Sequence, residues 1–337
     1  MNSINIKMIS MGDQIKAGCI NYERIIKTVE KAFLSYNNGE IILPHKISQV
    51  FNEKTQDRIN CMPSTLLKER ICGIKWVSVF PENPKRHNSP NVSGLIILSE
   101  IEQGYPFAIM DGTLITALRT ASMGAIGASH FARRDSEVYG SIGAGKQARA
   151  HFRFIKHVLP NIKTCKVASR SHDSERSFVD ELGKEYPEVQ FIACESNYKR
   201  AATGADIIVT AVSCQKPLLK AEYIKQGAYY CHTAGWEDEY EVPLMADKIV
   251  CDDWEALKHR GSPTIARLYN QGKLKDSDIY GNLTEIILGE KPGRETDSEF
   301  IYFNAIGLSY VDIAVAYEFY KTAEETKKYQ NWDLWEN

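Results

Sequence analysis

Two cationic residues lie in segments of the sequence that are otherwise apolar, and Lys75 is the first of them. It belongs to a strand-like pattern at residues 73–79, where period-two alternation places it on the same face as Val77 and Val79. Burial disfavours the charged form of a lysine, so a lysine removed from water can transfer a proton. Alternatively, its ammonium group can hold a carboxylate. The alternative is a lysine at the edge of a sheet whose amine reaches the solvent.

Arg119 is the second cation in such surroundings. It lies in the alanine-rich segment 114–132, where small residues at helical spacing predict a closely packed helix. A guanidinium group is always charged and carries five donors, so it needs an anion, and a bidentate clamp on a carboxylate is a common use. The anion is a substrate carboxylate, a cofactor phosphate, or a carboxylate that forms an ion pair between two domains.

A glycine-rich turn is the third chemical feature of the sequence. The strand-like residues 136–142 lead into Gly143, Ala144 and Gly145, and residues 146–158 can then form a helix. Gly143, Gly145 and Ala148 fit the G-x-G-x-x-A pattern, which permits a tight turn, close approach of a pyrophosphate and close packing of the helix. The predicted cofactor-binding residues are Thr120, Gly143, Ala144, Gly145, Lys146, Gln147, Ser169, Arg170, Ser171, Thr210, Ala211 and Val212.

The end of the next predicted strand indicates which dinucleotide binds. NAD-binding proteins carry an acidic residue there for the ribose hydroxyls, whereas NADP-binding proteins carry an arginine for the 2′-phosphate. Here Ser169, Arg170 and Ser171 end the strand, and no carboxylate follows until Asp173. Charge-assisted hydrogen bonds from Arg170 to a phosphate favour NADP over NAD. The alternative is that Arg170 stacks on the adenine, as arginines also do in NAD enzymes.

The elements that must position these residues follow two different patterns. After the turn, apolar runs recur with helical segments between them, at 163–169, 189–194, 205–213, 228–234 and 248–252. They predict an α/β fold, with a Rossmann-type, doubly wound parallel sheet of six strands. Before the turn, a helix at 19–36 precedes strands at 46–51, 58–62, 72–80, 92–99 and 107–110, which favour an antiparallel or mixed sheet. A helix that begins near Ser309 is expected to return and cover this sheet.

The composition excludes several classes of function. The 337 residues are 43% hydrophobic and 25% charged with a net charge of −2, which is typical of a globular protein and gives no nucleic-acid-binding footprint. No apolar run is long enough to span a membrane and the start lacks a signal segment, so we expect a cytoplasmic protein with small-molecule partners. The eight cysteines are scattered singly and no histidines pair at metal-ligand spacing, so no metal is predicted.

Six short blocks in order along the chain resemble the ornithine cyclodeaminase/μ-crystallin family. They are Gly-Ile-Lys-Trp-Val at 73–77, Phe-Pro-Glu-Asn-Pro at 80–84, Ala-Ile-Met-Asp-Gly at 108–112, Thr-Ala-Leu-Arg-Thr-Ala at 116–121, Gly-Ala-Gly-Lys-Gln-Ala at 143–148 and Lys-Pro-Gly-Arg at 291–294. The resemblance implies a Rossmann dinucleotide-binding domain at 116–307 and a split domain, 1–115 with 308–337, that binds substrate and forms a homodimer. It also implies hydride transfer between a nicotinamide and an amine-bearing carbon. Arg119 would then hold the substrate α-carboxylate, and Lys75 would bind the carboxylate or move a proton.

Four further stretches, at 57–64, 91–98, 251–254 and 289–295, resemble one branch of that family. Members of this branch oxidise and hydrolyse N-(2-amino-2-carboxyethyl)-L-glutamate to 2-oxoglutarate and 2,3-diaminopropionate for siderophore and antibiotic biosynthesis. The branch is linked to NAD, whereas Arg170 favours NADP.

The sequence also departs from the family pattern. Many relatives carry an acid and then a lysine after the fifth strand of the nucleotide domain; here Glu237 and Asp238 are the candidate catalytic acids, with no lysine, and the alternative is a solvated acidic loop. The family's further substrate arginine on an early strand is not evident, and Lys46 and Arg58 are the nearby cations. Within the family, an ornithine cyclodeaminase that recycles its cofactor and an NADPH-dependent imine or ketimine reductase remain open. A μ-crystallin-like binding protein without turnover is the alternative outside enzymes.

Overall fold

The computed structural model describes residues 4–335, and the chain divides into two compact units. The first unit comprises Met1–Arg119 and Leu308–Asn337, and the second comprises Thr120–Gly307. The sequence had placed the boundary between residues 115 and 116. The predicted boundary and the observed boundary, between residues 119 and 120, both fall inside the continuous helix Thr113–Phe131.

The elements alternate irregularly in the first unit and as strand and helix in the second. In chain order they are β1 (Ile4–Ile9), α1 (Met11–Lys16), α2 (Tyr22–Asn37), β2 (Ile41–Ile42), β3 (Ile47–Asn52), β4 (Asp57–Leu66), β5 (Ile71–Val79), α3 (Asn83–Arg86), β6 (Val92–Glu100), β7 (Pro106–Asp111), α4 (Thr113–Phe131), β8 (Val138–Ile142), α5 (Lys146–Val158), β9 (Thr164–Ala168), α6 (His172–Glu185), β10 (Gln190–Ala193), α7 (Tyr198–Ala202), β11 (Ile207–Thr210), β12 (Gln215–Leu219), β13 (Tyr229–His232), β14 (Trp236–Asp238), α8 (Glu241–Leu244), β15 (Lys248–Cys251), α9 (Trp254–Lys258), α10 (Thr264–Asn270), β16 (Gly281–Asn282), α11 (Leu283–Ile287), β17 (Ile301–Asn304), α12 (Ser309–Glu325) and β18 (Gln330–Trp335). Short 3₁₀ turns occur at Ala221–Tyr223 and Asp276–Asp278.

The first unit contains a mixed sheet in the order β18-β1-β7-β6-β5-β4-β2, with β3 also pairing with β4. β1 and β7 are parallel, and the other pairs are antiparallel, which confirms the predicted mixed sheet. Residues 330–335 form the edge strand β18, which pairs with β1. The Asn5 side chain donates to Asp333 at 2.8 Å across this pair.

Helix α12 packs on one face of this sheet, against β4, β5 and β6, as the sequence predicted. Alternation along β5 buries Gly73, Lys75 and Val77 on that face. A Cβ at position 73 would lie 2.6 Å from Cδ1 of Ile313, so any larger residue there would displace the side chain of Ile313. The missing side chain lets the helix lie close to the strand.

The opposite face of the same sheet carries an exposed apolar row. Ile47, Cys61, Trp76 and Leu95 are directly paired in register across β3, β4, β5 and β6. Ile47, Trp76 and Leu95 are all exposed. Contiguous apolar side chains on a surface mark an interaction site more often than isolated ones do.

The second unit contains a fully parallel sheet in the order β10-β9-β8-β11-β13-β17-β15-β16. The α/β class with a doubly wound parallel sheet is confirmed, but the sheet has eight strands where six were predicted. β17 inserts between β13 and β15, and the two-residue β16 lies at the edge. The strand order reverses between β8 and β11, and ligands of such sheets bind at the carboxyl ends of the strands beside this reversal.

The Lys-Pro-Gly-Arg block has a structural role at the end of α4. Arg294 Nε donates to the carbonyl of Phe131 at 2.6 Å, and the backbone N–H of Arg294 donates to the carbonyl of His130 at 2.9 Å. These carbonyls belong to the last turn of the helix, which lacks intrahelical partners for them.

Among residues 4–335, no helix is long and apolar enough to cross a membrane.

Candidate functional site

A buried group of three charged side chains lies in the first unit. Lys75 Nζ is 2.5 Å from Oδ2 of Asp312, and Arg119 Nε is 2.8 Å from Oδ1 of the same carboxylate. Lys75 is 1% exposed, Arg119 5% and Asp312 0%. One carboxylate therefore holds two cations that the sequence had singled out separately.

Three elements bring these side chains together. β5 presents Lys75, α4 presents Arg119 in its second turn, and α12 presents Asp312 in its first turn next to Ile313, which packs on Gly73. The close packing of α12 on β5 sets the separation between Lys75 and Asp312. The alternative of a lysine at the sheet edge is wrong, because β5 is an interior strand of the sheet. Arg119 forms an ion pair with Asp312, a carboxylate of the first unit.

Sequence reasoning missed Asp312. It stands in the segment 310–316, in which its neighbours are apolar or aromatic, and it is fully buried in a helix. An acidic residue in such surroundings is rare unless a cation lies opposite. That signal was the same one that identified Lys75 and Arg119.

The other two predicted substrate-binding cations lie elsewhere in the first unit. Arg58 is the second residue of β4. The register pairs Arg58 with Val79 and Met62 with Lys75, so Arg58 and Lys75 are on the same face of the sheet. Along β4, Arg58 is four residues from Met62, the residue opposite Lys75, and four residues of strand span about 13 Å. Burial lowers the pKa of the Arg58 guanidinium from its ordinary value. Lys46 is exposed in the segment before β3.

The glycine-rich turn of the second unit connects β8 to α5. Gly143 has φ of +118°, and a Cβ there would lie 2.5 Å from the carbonyl oxygen of Ala211, so only glycine fits. The backbone N–H of Gly143 donates to Ala168 at 2.8 Å, and that of Ala211 donates to Ile142 at 2.9 Å. The turn therefore lies directly against the loop that follows β11.

The start of α5 fits a pyrophosphate. Gly145 precedes the helix, is exposed, and a Cβ added to it would meet no atom within 4 Å. Arg149 donates to the carbonyl of Ala144 and holds the turn, while the exposed Lys146 and half-buried Gln147 open the helix. An open helix N-terminus next to a small residue attracts an anion.

Substitutions in this turn are expected to separate the role of Gly143 in the backbone from the role of Gly145 in leaving space for a phosphate. Gly143→Ala should lower both thermal stability and dinucleotide affinity, the latter by about tenfold or more, because left-handed φ and the contact with Ala211 disfavour a side chain. Gly145→Ala should reduce affinity with little change in stability, because its Cβ fills space that the phosphate would occupy. Fluorescence titration with NADPH and thermal melts measure both effects. Wild-type affinity in Gly145→Ala would contradict this placement of the phosphate.

The loop after β9 presents the predicted ribose-binding residues. Arg170 is exposed between Ser169 and Ser171. The Ser169 hydroxyl donates to the carbonyl of Ser171 at 2.9 Å, and Ser171 caps α6 by accepting the N–H of Ser174 at 3.3 Å. Both flanks of Arg170 are thus ordered. Thr120, another cofactor candidate, is buried in α4.

Glu237 and Asp238, the two candidate acids, are fully buried, so the alternative of a solvated acidic loop is excluded for them. Glu237 accepts from the hydroxyl of Thr210 at 2.7 Å, the N–H of Val212 at 2.9 Å and the N–H of Ala234 at 3.2 Å. It therefore ties together the loops that follow β11 and β13. A catalytic role for either acid stays a prediction.

His232 is a further buried residue of this region that sequence reasoning missed. Its Nε2 lies 3.5 Å from Glu237 and 3.3 Å from Asp238. Asp238 also accepts from the hydroxyl of Thr264 at 2.6 Å. Burial raises the pKa of Asp238 to about 6.

Among residues 4–335, no group of three or more His, Cys, Asp or Glu is arranged to hold a metal ion.

Asp252, after β15, provides a pH-dependent contribution to stability. Its Oδ2 accepts the N–H groups of Ile306 and Gly307 at 2.9 and 2.8 Å, and burial raises its pKa from 3.8 to about 6. Between these two values the folded state keeps a proton that the unfolded chain has released. Stability therefore falls as pH rises from about 4 to 6 and then levels off, by about 3 kcal/mol for this group.

Asp252→Asn is expected to remove this slope. Between pH 4.5 and 7, the free energy of unfolding of the wild type should fall by about 2 kcal/mol relative to that of the variant. The reason is that the carboxyl group titrates in this range and the amide does not. Urea titrations across this range measure the difference. A difference that is constant with pH would show that Asp252 does not titrate in this window.

Comparison with known proteins places this geometry in a family. A family model for the ornithine cyclodeaminase/mu-crystallin family matches residues 7–327. The N-((2S)-2-amino-2-carboxyethyl)-L-glutamate dehydrogenase of Staphylococcus aureus is 29% identical over 321 residues, which cover 94% of this chain and 95% of that protein.

Two solved structures are similar over nearly their whole length. The Delta(1)-pyrroline-2-carboxylate reductase of Thermococcus litoralis, in complex with NADH and L-proline, has a TM-score of 0.90 and 29% identity and covers 96% of this chain and 99% of its own. An archaeal alanine dehydrogenase dimer with bound NAD has a TM-score of 0.88 and 29% identity and covers 98% of this chain and 100% of its own. The family model and the fold agree. The chain belongs to the ornithine cyclodeaminase/mu-crystallin family and is an NAD(P)-dependent oxidoreductase of that family.

Proposed function

We propose that the enzyme oxidises and hydrolyses N-(2-amino-2-carboxyethyl)-L-glutamate to 2-oxoglutarate and 2,3-diaminopropionate, with NADP⁺ preferred over NAD⁺. The observation that carries this proposal is the buried pair of cations, Lys75 and Arg119, held by Asp312. The similarity to the Staphylococcus aureus dehydrogenase over 94% of the chain supports the choice of substrate. The proposed place of action is the cytoplasm, in a pathway that consumes 2,3-diaminopropionate.

The charges of the proposed substrate match the cations of the first unit. The substrate carries three carboxylates, and Arg119 is proposed to bind the α-carboxylate of its glutamate moiety, because guanidinium pairs with carboxylate in a bidentate fashion. Lys75 lies on the other oxygen of the Asp312 carboxylate, close to the same anion. Arg58, on the same face of the sheet, is proposed to bind a more distant carboxylate, and the exposed Lys46 is a further candidate.

The proposed reaction balances as follows. The α-carbon of the glutamate moiety loses a hydride and its nitrogen loses a proton, so that a C=N bond forms. The nicotinamide, when bound, accepts the hydride. Water then adds to the carbon, the C–N bond breaks, and 2-oxoglutarate and 2,3-diaminopropionate leave. Lys75 is proposed to exchange the proton with the substrate nitrogen, and Arg119 to fix the carbon in place. Glu237 and Asp238 remain further candidates for proton transfer.

The preference for NADP⁺ rests on Arg170. This side chain is exposed after β9 between two serines, and the same loop has no carboxylate to repel a 2′-phosphate. The two related structures contain NADH and NAD, so the proposed cofactor of this chain differs from the cofactors bound in those proteins. Stacking of Arg170 on the adenine is the competing interpretation.

The test is the absorbance of reduced nicotinamide after mixing purified protein with the synthetic substrate and either NAD⁺ or NADP⁺. We expect cofactor reduction with equimolar 2-oxoglutarate, and a higher kcat/KM with NADP⁺. Faster reaction with NAD⁺ would overturn the assignment of Arg170 but not that of the substrate. No reduction with either cofactor, from protein that binds one of them, would overturn the substrate.

A second candidate is an imine reductase. The Thermococcus litoralis enzyme with NADH and L-proline, at a TM-score of 0.90, is the observation that favours it, because one carboxylate and one ring nitrogen suffice for the same pair of cations. NADPH consumption with Δ1-pyrroline-2-carboxylate, and no reaction with the aminocarboxyethyl-glutamate, would establish it. Ammonia release from ornithine without net change of cofactor would instead indicate a cyclodeaminase.

We also propose a homodimer formed through the exposed apolar row of the first unit. Ile47, Trp76 and Leu95 present a continuous apolar surface on the uncovered face of the sheet, and the archaeal alanine dehydrogenase is a dimer. Sedimentation velocity should give a dimer for the wild type and a monomer for Trp76→Arg, since an unpaired cation on a buried interface is costly. A Trp76→Arg variant that remains dimeric would place the interface elsewhere.

A further inference from the structure

Glu175 is a fully buried carboxylate that the proposed chemistry does not use. It lies in the first turn of α6, and its side chain accepts three backbone N–H groups: Ser169 at 2.7 Å, Glu195 at 2.7 Å and Ser196 at 2.8 Å. Hydrogen bonds from backbone amides to an ionised carboxylate are short and strong. A buried acid with three such donors is a built feature of the fold.

The three bonds join two loops at the carboxyl edge of the sheet. Ser169 follows β9, and Glu195 and Ser196 follow the adjacent strand β10. Glu195 and Ser196 have φ of 54° and 61°, a left-handed backbone that residues with side chains adopt at a cost. The carboxylate of Glu175 compensates for that strain and holds both loops in one arrangement.

Arg170 is fixed on both sides by the same residue. The side chain of Glu175 accepts the N–H of Ser169, and the backbone N–H of Glu175 donates to the carbonyl of Ser171 at 3.1 Å. The two backbone positions that flank Arg170 are therefore both bonded to residue 175. The bond to Ser169 uses the carboxylate of Glu175, and the bond to Ser171 is the first i to i−4 bond of α6.

The two strained residues also line a cavity of about 490 Å³. Its wall also includes Tyr198 and two lysines, Lys199 and Lys220. The loop after β10 that Glu175 holds therefore also shapes this cavity.

We propose that Glu175 is a positioning residue for cofactor selection: by fixing the loops after β9 and β10, it aims Arg170 at the 2′-phosphate of the dinucleotide. This inference rests on the proposed function, because it assumes that Arg170 binds the phosphate. Glu175 itself touches no part of the ligand. Its effect appears as discrimination between ligands with and without that phosphate.

The experiment compares the affinities of 2′,5′-ADP and 5′-AMP by isothermal titration calorimetry, because these ligands differ in the 2′-phosphate alone. The full chain is used as wild type, Arg170→Ser, Glu175→Gln and the matched control Glu185→Gln. Glu185 is on the same helix and pairs with the side chain of Arg153. The preference of the wild type for 2′,5′-ADP should fall about tenfold in Arg170→Ser and in Glu175→Gln and stay unchanged in Glu185→Gln. The affinity of Glu175→Gln for 5′-AMP should stay within about threefold of wild type.

The outcomes separate the two proposals. An unchanged preference in Arg170→Ser would overturn the assignment of Arg170, and the role of Glu175 with it. A reduced preference in Arg170→Ser with an unchanged one in Glu175→Gln would overturn the role of Glu175 alone. An equal loss of affinity for both ligands in Glu175→Gln would also overturn it, because that result indicates a structural role.

A second variant keeps the test decisive if Glu175→Gln folds poorly. Glu175→Gln combined with Ser196→Gly removes part of the left-handed strain, since glycine adopts positive φ without cost. The double variant should regain thermal stability but not the preference for 2′,5′-ADP. Recovery of that preference would show that strain relief, rather than the carboxylate, sets the position of Arg170.

Discussion

Asp312→Asn is expected to lower kcat/KM for the amine substrate by about a hundredfold to a thousandfold, with a fall in stability of about 3 kcal/mol. The asparagine keeps the shape of the side chain but removes the negative charge that holds Lys75 Nζ at 2.5 Å and Arg119 Nε at 2.8 Å. Two buried cations without that carboxylate repel each other and move apart. The substrate carboxylate would then meet a disordered pair instead of a fixed one.

Steady-state reduction of the cofactor measures this loss, and circular dichroism and thermal melts check the fold. The matched control is Glu318→Gln, on the same helix α12, whose carboxylate pairs with Lys321 at the surface at 2.7 Å. It should leave kcat/KM within about twofold, because surface ion pairs contribute little. A folded Asp312→Asn with near wild-type kcat/KM would show that the substrate does not depend on this group of charges.

Lys75→Gln is expected to lower kcat by about a thousandfold or more, the scale on which a positioned proton-transfer group contributes. Glutamine can still donate a hydrogen bond to Asp312, so the Asp312–Arg119 pair and the packing of α12 are retained. The charge and the transferable proton are lost. The dissociation constant of NADPH should stay close to wild type, because the predicted dinucleotide contacts lie in the second unit.

Stopped-flow and steady-state kinetics with the amine substrate measure kcat and KM separately for this variant. Lys321→Gln on α12 is the matched control, since this lysine is largely exposed and pairs with Glu318. If Lys75→Gln raises KM and leaves kcat unchanged, Lys75 binds the carboxylate and does not transfer a proton. That result would retain Lys75 in the substrate site and require another acid or base, with Glu237 and Asp238 as the remaining candidates.

The features that could be predicted from sequence are those with a local cause. Gly143 has a left-handed φ inside a short turn between a strand and a helix, so the residue pattern and the backbone requirement coincide. The parallel strands are short, mostly apolar and fully buried because both faces of the sheet are covered, as in β11, β13 and β15. Lys75 and Arg119 were recognisable because a charge in an apolar segment conflicts with its surroundings.

The features that could not be predicted depend on contacts between distant parts of the chain. β17 follows β15 by about fifty residues and lies between it and β13, and β18 pairs with β1 from the opposite end of the sequence. Short strands of this kind carry no signal for their partners. The number of strands in the second unit was wrong for this reason.

The type of fold, the glycine-rich turn and the two cations were predictable from sequence, since each follows from residues that are close together along the chain. What those cations contact depends on the tertiary structure, because Asp312 is 237 residues from Lys75 and 193 from Arg119. The same holds for the bonds by which Glu175 and Glu237 hold loops, and for the burial of Glu237 and Asp238. A carboxylate acts on whatever donors the fold brings within about 3 Å of it, and spacing along the chain does not specify which donors these are.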